Sequence, residues 1–183
     1  MNTIGTYYHR MGLHLERLDW LLPTLARLVF AGVLLIYLLN SGATKLGDGL
    51  LGVFQPSVGA YAQIFPRAME AAGYDIGALG VWHWAVVVAG TIAEFTLPVL
   101  IVLGLLTRVA ALGMIGFVVV QSLTDVYGHG QTEAVGRWFD RFADGTILDQ
   151  RAFWIFVLLV LVIKGAGPLS LDRLLRRATR DER

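Results

Sequence analysis

The chain has 183 residues, 56% of them hydrophobic, and a mean hydropathy of +0.62, the composition of a protein whose natural solvent is lipid. Its 15 basic and 14 acidic residues leave a formal charge of +1, which offers nothing to nucleic acid or any other polyanion. Cysteine is absent, and that excludes disulfides, thiolate metal sites and a thiol relay carried by this chain.

Taken in order, residues 8–20 put Met11, Leu15 and Leu18 on one helical face and Arg10, His14 and Arg17 on others, the pattern of a helix lying in a membrane interface. The first membrane span is predicted over about 21–46, with no charge from Leu28 to Thr44, where about 20 residues suffice to cross. Ser41-Gly42-Ala43 admits a signal-cleavage reading, but the apolar run before it is longer than an h-region. A long loop, about 47–80, carries Phe54, Tyr61, Ile64, Phe65 and Met69 and is expected to hold short helices. The second span, about 81–106, is interrupted only by Glu94.

The third and fourth spans, about 109–123 and 149–164, look short, which implies tilted neighbours or local thinning. Between them a second long loop carries Trp138, Phe139 and Phe142, and the two loops together suggest a lid over the bundle. Gly165, Gly167 and Pro168 stop the fourth helix, and Ser170 can cap a short basic helix over 171–179 that lies on the lipid surface. No internal repeat is visible. The expectation is one domain, 1–183: an all-α membrane protein, a bundle of four transmembrane helices with short interfacial helices at both ends and in the outer loops.

Placing both termini in the cytoplasm puts Arg10, Arg17, Arg108, Lys164, Arg173, Arg176, Arg177, Arg180 and Arg183 inside and Lys45, Arg67, Arg137, Arg141 and Arg151 outside. Nine basic residues against five favour that orientation. Trp82, Trp84, Trp138 and Trp154 then mark the outer interface and Trp20 the inner one.

Ionisable groups at membrane depth need a partner or a purpose. Glu94 stands near the middle of the second span, with His83 on the same stripe. Lys45 shares a stripe of the first span with Arg27, Leu34 and Ser41. Helical side chains lean toward their own N-terminus, so Lys45 points into the membrane and Glu94 up toward it, mostly bridging a backbone depth offset of roughly 10–15 Å at about 1.5 Å per residue, with water, tilt or a ligand left to close the rest. Gln121 and Asp125 lie one turn apart on the third span, and Asn40 at similar height on the first. Two readings stand together: a polar site in the outer half, or interfacial residues in contact with water plus a Glu94 that ties two helices. Arg27 and Lys164 read as structural, snorkelling to the inner headgroups. His83 and His129 lack the spacing of a bundle metal or haem site, so no metal site is expected. Gly104 and Gly113 read as helix-packing residues.

Arg27 in the first span, Gly42-Ala43-Thr44-Lys45, Glu94 in the second, the turn Gly104-Leu105-Leu106-Thr107-Arg108 and the ending Gly167-Pro168-Leu169-Ser170-Leu171-Asp172 resemble the DoxX family in order and spacing, over about 25–175. The resemblance implies a four-helix protein of the bacterial inner membrane, related to the membrane subunit of thiosulfate:quinone oxidoreductase. Carried onto this chain, a quinone would be the cofactor, with Glu94 accepting or relaying a proton, Lys45 holding a quinone oxygen or an anionic headgroup, and Gln121 hydrogen-bonding beside it. Asn40, His83, Asp125, Tyr37 and Trp84 complete the candidate binding residues, with Phe117 lining the apolar ring.

The leading expectation is a quinone-linked redox or electron-transfer subunit that works with a soluble or membrane redox partner, since the chain supplies no obvious cofactor ligands. The alternative is a non-catalytic membrane adaptor or assembly factor that holds a partner protein through its aromatic loops or basic tail. A transporter is weakened by having four spans per chain unless chains associate, and homo-oligomerisation stays open.

Overall fold

The computed structural model describes residues 3–16, 18–49 and 51–181, and among these every regular element is helical. Four helices are long and apolar enough to cross a bilayer: Leu21–Ala43, Val81–Leu103, Thr107–Gly128 and Thr146–Lys164. At most 33% of each apolar window is buried inside the chain. Side chains such as Leu28, Val33, Ile36, Val109, Leu112, Phe153 and Ile163 therefore point outward, an arrangement that only lipid satisfies. The fold is a four-span all-α membrane bundle in contact with the bilayer.

The first two spans end three residues earlier than expected. The third and fourth are longer, 22 and 19 residues, because wide π turns at Thr124–Gly128 and Thr146–Gln150 extend them. Those turns contain Asp125, Asp149 and Gln150, whose polarity ends a hydropathy count although the helix continues. A third π turn, Ala31–Leu35, lies inside the first span. The amino-terminal helix runs Thr3–Glu16 rather than to residue 20, and the tail helix runs Leu171–Asp181. Arg17 and Arg183, counted above as inner charges, lie outside the described residues.

Two apolar clusters hold the chain together. The larger joins all four spans through Phe30, Leu34, Leu38, Ile101, Met114, Val118, Leu158 and Leu161. The smaller joins Ala60, Tyr61 and Met69 of the first outer loop to Val87 of the second span. Two short helices, Val58–Ile64 and Pro66–Ala71, build that loop; Ser57 caps the first and proline opens the second. The second loop behaves differently. Its Trp138, Phe139 and Phe142 are 57%, 103% and 60% exposed, so of the expected lid only the first loop covers the bundle.

Arg27, Gly104 and Asp172, three of the residues that carry the family resemblance, are clasps at the ends of the spans nearest the tail helix. Arg27 turns to protein rather than to headgroups: Nε donates to the Ile101 carbonyl and Nη1 to that of Ala166, each at 3.0 Å, with further bonds to Val102 and Leu169. It thereby ties the end of the second span to the turn that follows the fourth. Gly104, at φ 70°, is needed there, since a Cβ would stand 2.6 Å from Ser170 Cβ and 2.9 Å from Arg27 Cζ. Asp172 accepts from the backbone N–H groups of Leu106 and Thr107 at 2.8 and 3.1 Å, capping the third span from a distant helix. Lys164 pairs with Asp19 at 2.6 Å.

Candidate functional site

The second span brings Glu94 against the first. Lys45 Nζ lies 3.0 Å from Glu94 Oε1, as a hydrogen bond, and 3.0 Å from Oε2, as a charge contact without hydrogen-bond geometry. Ser41 completes a triangle: its Oγ donates to Glu94 Oε1 at 3.0 Å and accepts from Lys45 Nζ at 2.9 Å, while its carbonyl accepts from the same ammonium at 3.2 Å. Lys45 and Glu94 are 5% and 3% exposed, so neither charge is compensated by water.

The direct contact replaces the expected depth offset, and Gly42 supplies the reason. A Cβ there would stand 2.9 Å from the Phe95 ring and 3.3 Å from Glu94 Cβ, so the last turn of the first span and the Glu94 turn of the second touch backbone to side chain. Counting residues from the span ends misses this, because the outer turns of the second span are sheathed by the first loop through Val87. Pro98, four residues after Glu94, lacks the N–H that would bond the Glu94 carbonyl.

A cavity of about 510 Å³ opens beside the pair. Ala93, Leu97, Phe117, Val120, Ile64 and Val86 make its walls mostly apolar, and Lys45, Ser41 and Glu94 form its polar floor. Gly113 and Gly116, both exposed on the third span, leave the space between the second and third spans open toward lipid. Gln63, Thr124, Asp125 and His129 stand at its outer rim, where His129 Nε2 meets the Gln63 carbonyl at 2.9 Å.

Of the residues singled out from the sequence, the cavity brings together Glu94, Lys45, Gln121, Asp125, Tyr37 and Phe117. Gln121 Nε2 donates to the Tyr37 hydroxyl at 3.0 Å, and its Oε1 is buried without a partner. Asp125 is matched by Arg151 at 2.5 Å, and the same guanidinium donates to Ser122 at 2.9 Å and lies 5.9 Å from the Trp154 ring. Arg151, counted above as a loop charge, is 4% exposed at the head of the fourth span. An opposite charge at the same depth as Asp125 was the available signal.

Three candidates lie elsewhere. Asn40 is exposed on another face of the first span. His83 packs edge-on against Phe65, with ring centroids 4.8 Å apart. Trp84 donates from Nε1 to the Phe54 carbonyl at 2.9 Å and anchors the first loop. Gln63 and His129 join the cavity through loop geometry, which no residue pattern announces.

Fold and site define a multi-pass membrane protein with a buried ion pair on the floor of an apolar, laterally open cavity. The family model described as DoxX matches residues 22–125, more than half of the chain, and the protein belongs to the DoxX family. Neither the curated proteins nor the solved structures searched gave a match.

Proposed function

We propose that this chain is the membrane subunit of a quinone-linked redox or electron-transfer system in the bacterial inner membrane, a single domain with both termini cytoplasmic, acting with a soluble or membrane partner that carries the redox centre. The observation that carries the reading is the cavity: apolar walls suit a ring and the start of an isoprenoid chain, lateral opening suits a ligand that lives in lipid, and the floor holds a buried ion pair.

The hydrogen bonds refine the chemistry. An ammonium has three donors, and those of Lys45 go to Ser41 O, Ser41 Oγ and Glu94 Oε1. The group left without a hydrogen-bond partner is therefore an acceptor, the buried Glu94 Oε2. A ligand hydroxyl fits it. A bound quinone would supply two-electron, two-proton chemistry here, with the electrons exchanged with the partner, and Glu94 would accept a hydrogen bond, and in the oxidising direction a proton, from a quinol hydroxyl. Lys45 holds the carboxylate in place and offsets its charge. Gln121, Asp125 and His129 line the side toward the outer rim, along which a proton would leave.

Mass spectrometry of an organic extract from gently purified protein tests this, with Glu94→Gln beside Gly116→Leu. A Cβ at Gly116 meets nothing within 4 Å, so leucine there is expected to fit and to take up cavity space from the third span, a helix that carries neither member of the ion pair. Bound quinone in the parent protein, lost in Gly116→Leu at unchanged thermal stability, is the expected result. An extract of bulk phospholipid alone in all three proteins would sink the reading.

A second reading rests on the exposed Trp138, Phe139 and Phe142: an adaptor that holds a partner protein through this loop. Under it, Gly116→Leu leaves partner capture intact and substitution of the three aromatic residues abolishes it.

A further inference from the structure

A second cavity, of about 320 Å³, lies at the opposite end of the bundle from the outer rim, and its chemistry is the reverse of the first. Arg108, in the first turn of the third span, Lys164, the last residue of the fourth, and Arg173 and Arg176 of the tail helix surround it, with Asp172 the one acid in the lining. Both oxygens of Asp172 are taken by the N–H groups of Leu106 and Thr107. Lys164 is shared with Asp19, and Arg108 donates one N–H to the Ile163 carbonyl at 3.2 Å. Among the described residues no ion pair engages Arg108, Arg173 or Arg176. Three guanidinium groups thus face one cavity whose single acid, Asp172, lies near Arg176 but has both oxygens held by backbone N–H groups.

The depth of the cavity says where an anion for them comes from. It lies where the third span begins and the fourth ends, and the ends of spanning helices are where headgroup phosphates meet protein. The tail helix keeps Leu171, Leu174 and Leu175 exposed along one edge, continuous with Leu169, and an amphipathic helix of this kind lies with its leucines among acyl chains and its arginines among headgroups. Arginine binds phosphate oxygens with paired, parallel N–H donors.

We propose that this cavity is a binding site for a phosphate-bearing anion, supplied by the headgroup of an anionic phospholipid that seats the tail helix against the third and fourth spans. The site is independent of the quinone reading, since it shares no lining residue with the larger cavity.

The test is native mass spectrometry of delipidated protein titrated with phosphatidylglycerol, phosphatidylcholine or inorganic phosphate. The variant Arg173→Gln/Arg176→Gln is compared with Arg177→Gln, which removes a charge from the same exposed helix outside the cavity. Expected are preferential retention of phosphatidylglycerol over phosphatidylcholine, a loss on the order of tenfold or more in the double variant, and less than about twofold in Arg177→Gln, where one arginine near a headgroup is worth roughly fivefold. Should the double variant lose helix content, single Arg176→Gln carries the same reading at about fivefold. Inorganic phosphate that binds the parent but not the double variant, with no preference between the two lipids, keeps the phosphate site and makes a free ion its occupant. Equal retention of both lipids with no phosphate binding, or an equal loss per charge in Arg177→Gln, overturns the proposal.

Discussion

Changing Glu94 to glutamine keeps the length of the side chain and removes its charge, which leaves the Lys45 ammonium buried against neutral groups. Losing one member of a buried pair costs about 3–5 kcal/mol, whereas losing both removes the uncompensated charge. Glu94→Gln and Lys45→Met are each expected to lower the thermal midpoint in detergent, and the double variant to recover at least half of the larger loss. Strictly additive losses would mean that the two side chains act separately. The pair was legible in the sequence because each residue sits on a polar stripe and helical side chains lean toward their own N-terminus. Depth alone misled for Asn40, His83 and Trp84: residues at one height can face different neighbours, and Trp84 satisfies its N–H on the Phe54 carbonyl rather than in the cavity. Ser41 stood on the Lys45 stripe, but nothing in the spacing showed that its hydroxyl would bridge both charges.

The start of the third span depends on a residue from another helix. Burial pushes the Asp172 carboxyl up, but hydrogen bonds from the Thr107 and Leu106 N–H groups, the nearby Thr107 hydroxyl and the Arg176 charge outweigh it and hold the group below its ordinary value of 3.8. A carboxyl whose value is lower folded than unfolded contributes stability that is present above the unfolded value and disappears as pH falls through the folded one. Asp172→Ala should therefore lower stability by about 1 kcal/mol near neutral pH, the usual effect of losing a cap, with the gap to the parent closing as pH falls from 3.8 through the lowered folded value. Thermal midpoints across that pH range check it, and a gap that persists in acid would assign the loss to packing instead of capping. The capping and turn residues were visible in the sequence as a recurring order of motifs, Arg27 through Asp172, yet their work is architectural. The ends of the third and fourth spans were not visible. Hydropathy stops at Asp125 and Asp149, whereas the helix continues through π turns once Asp125 is matched by Arg151 across two spans.

Four crossings put the two ends of the chain on one side of the membrane, and the charges argue which side. Lys45 and Arg151, two of the five basic residues assigned to the outer side, are buried in ion pairs and drop out of the surface count. That leaves Arg67, Arg137 and Arg141 there, three against seven among the described residues on the side of the termini, Arg10, Arg108, Lys164, Arg173, Arg176, Arg177 and Arg180. The bias toward a cytoplasmic tail is thus steeper in the folded bundle than in the bare sequence. Because the chain has no cysteine, any cysteine introduced is the sole reporter. In intact spheroplasts, Ala178→Cys in the tail helix is expected to resist a membrane-impermeant maleimide until the cells are opened, while Gly130→Cys, in the exposed second loop, is labelled at once. The opposite pattern would invert the molecule. It would turn the rim of Gln63, Asp125 and His129 toward the cytoplasm, and any proton exchanged at Glu94 would then leave on that side.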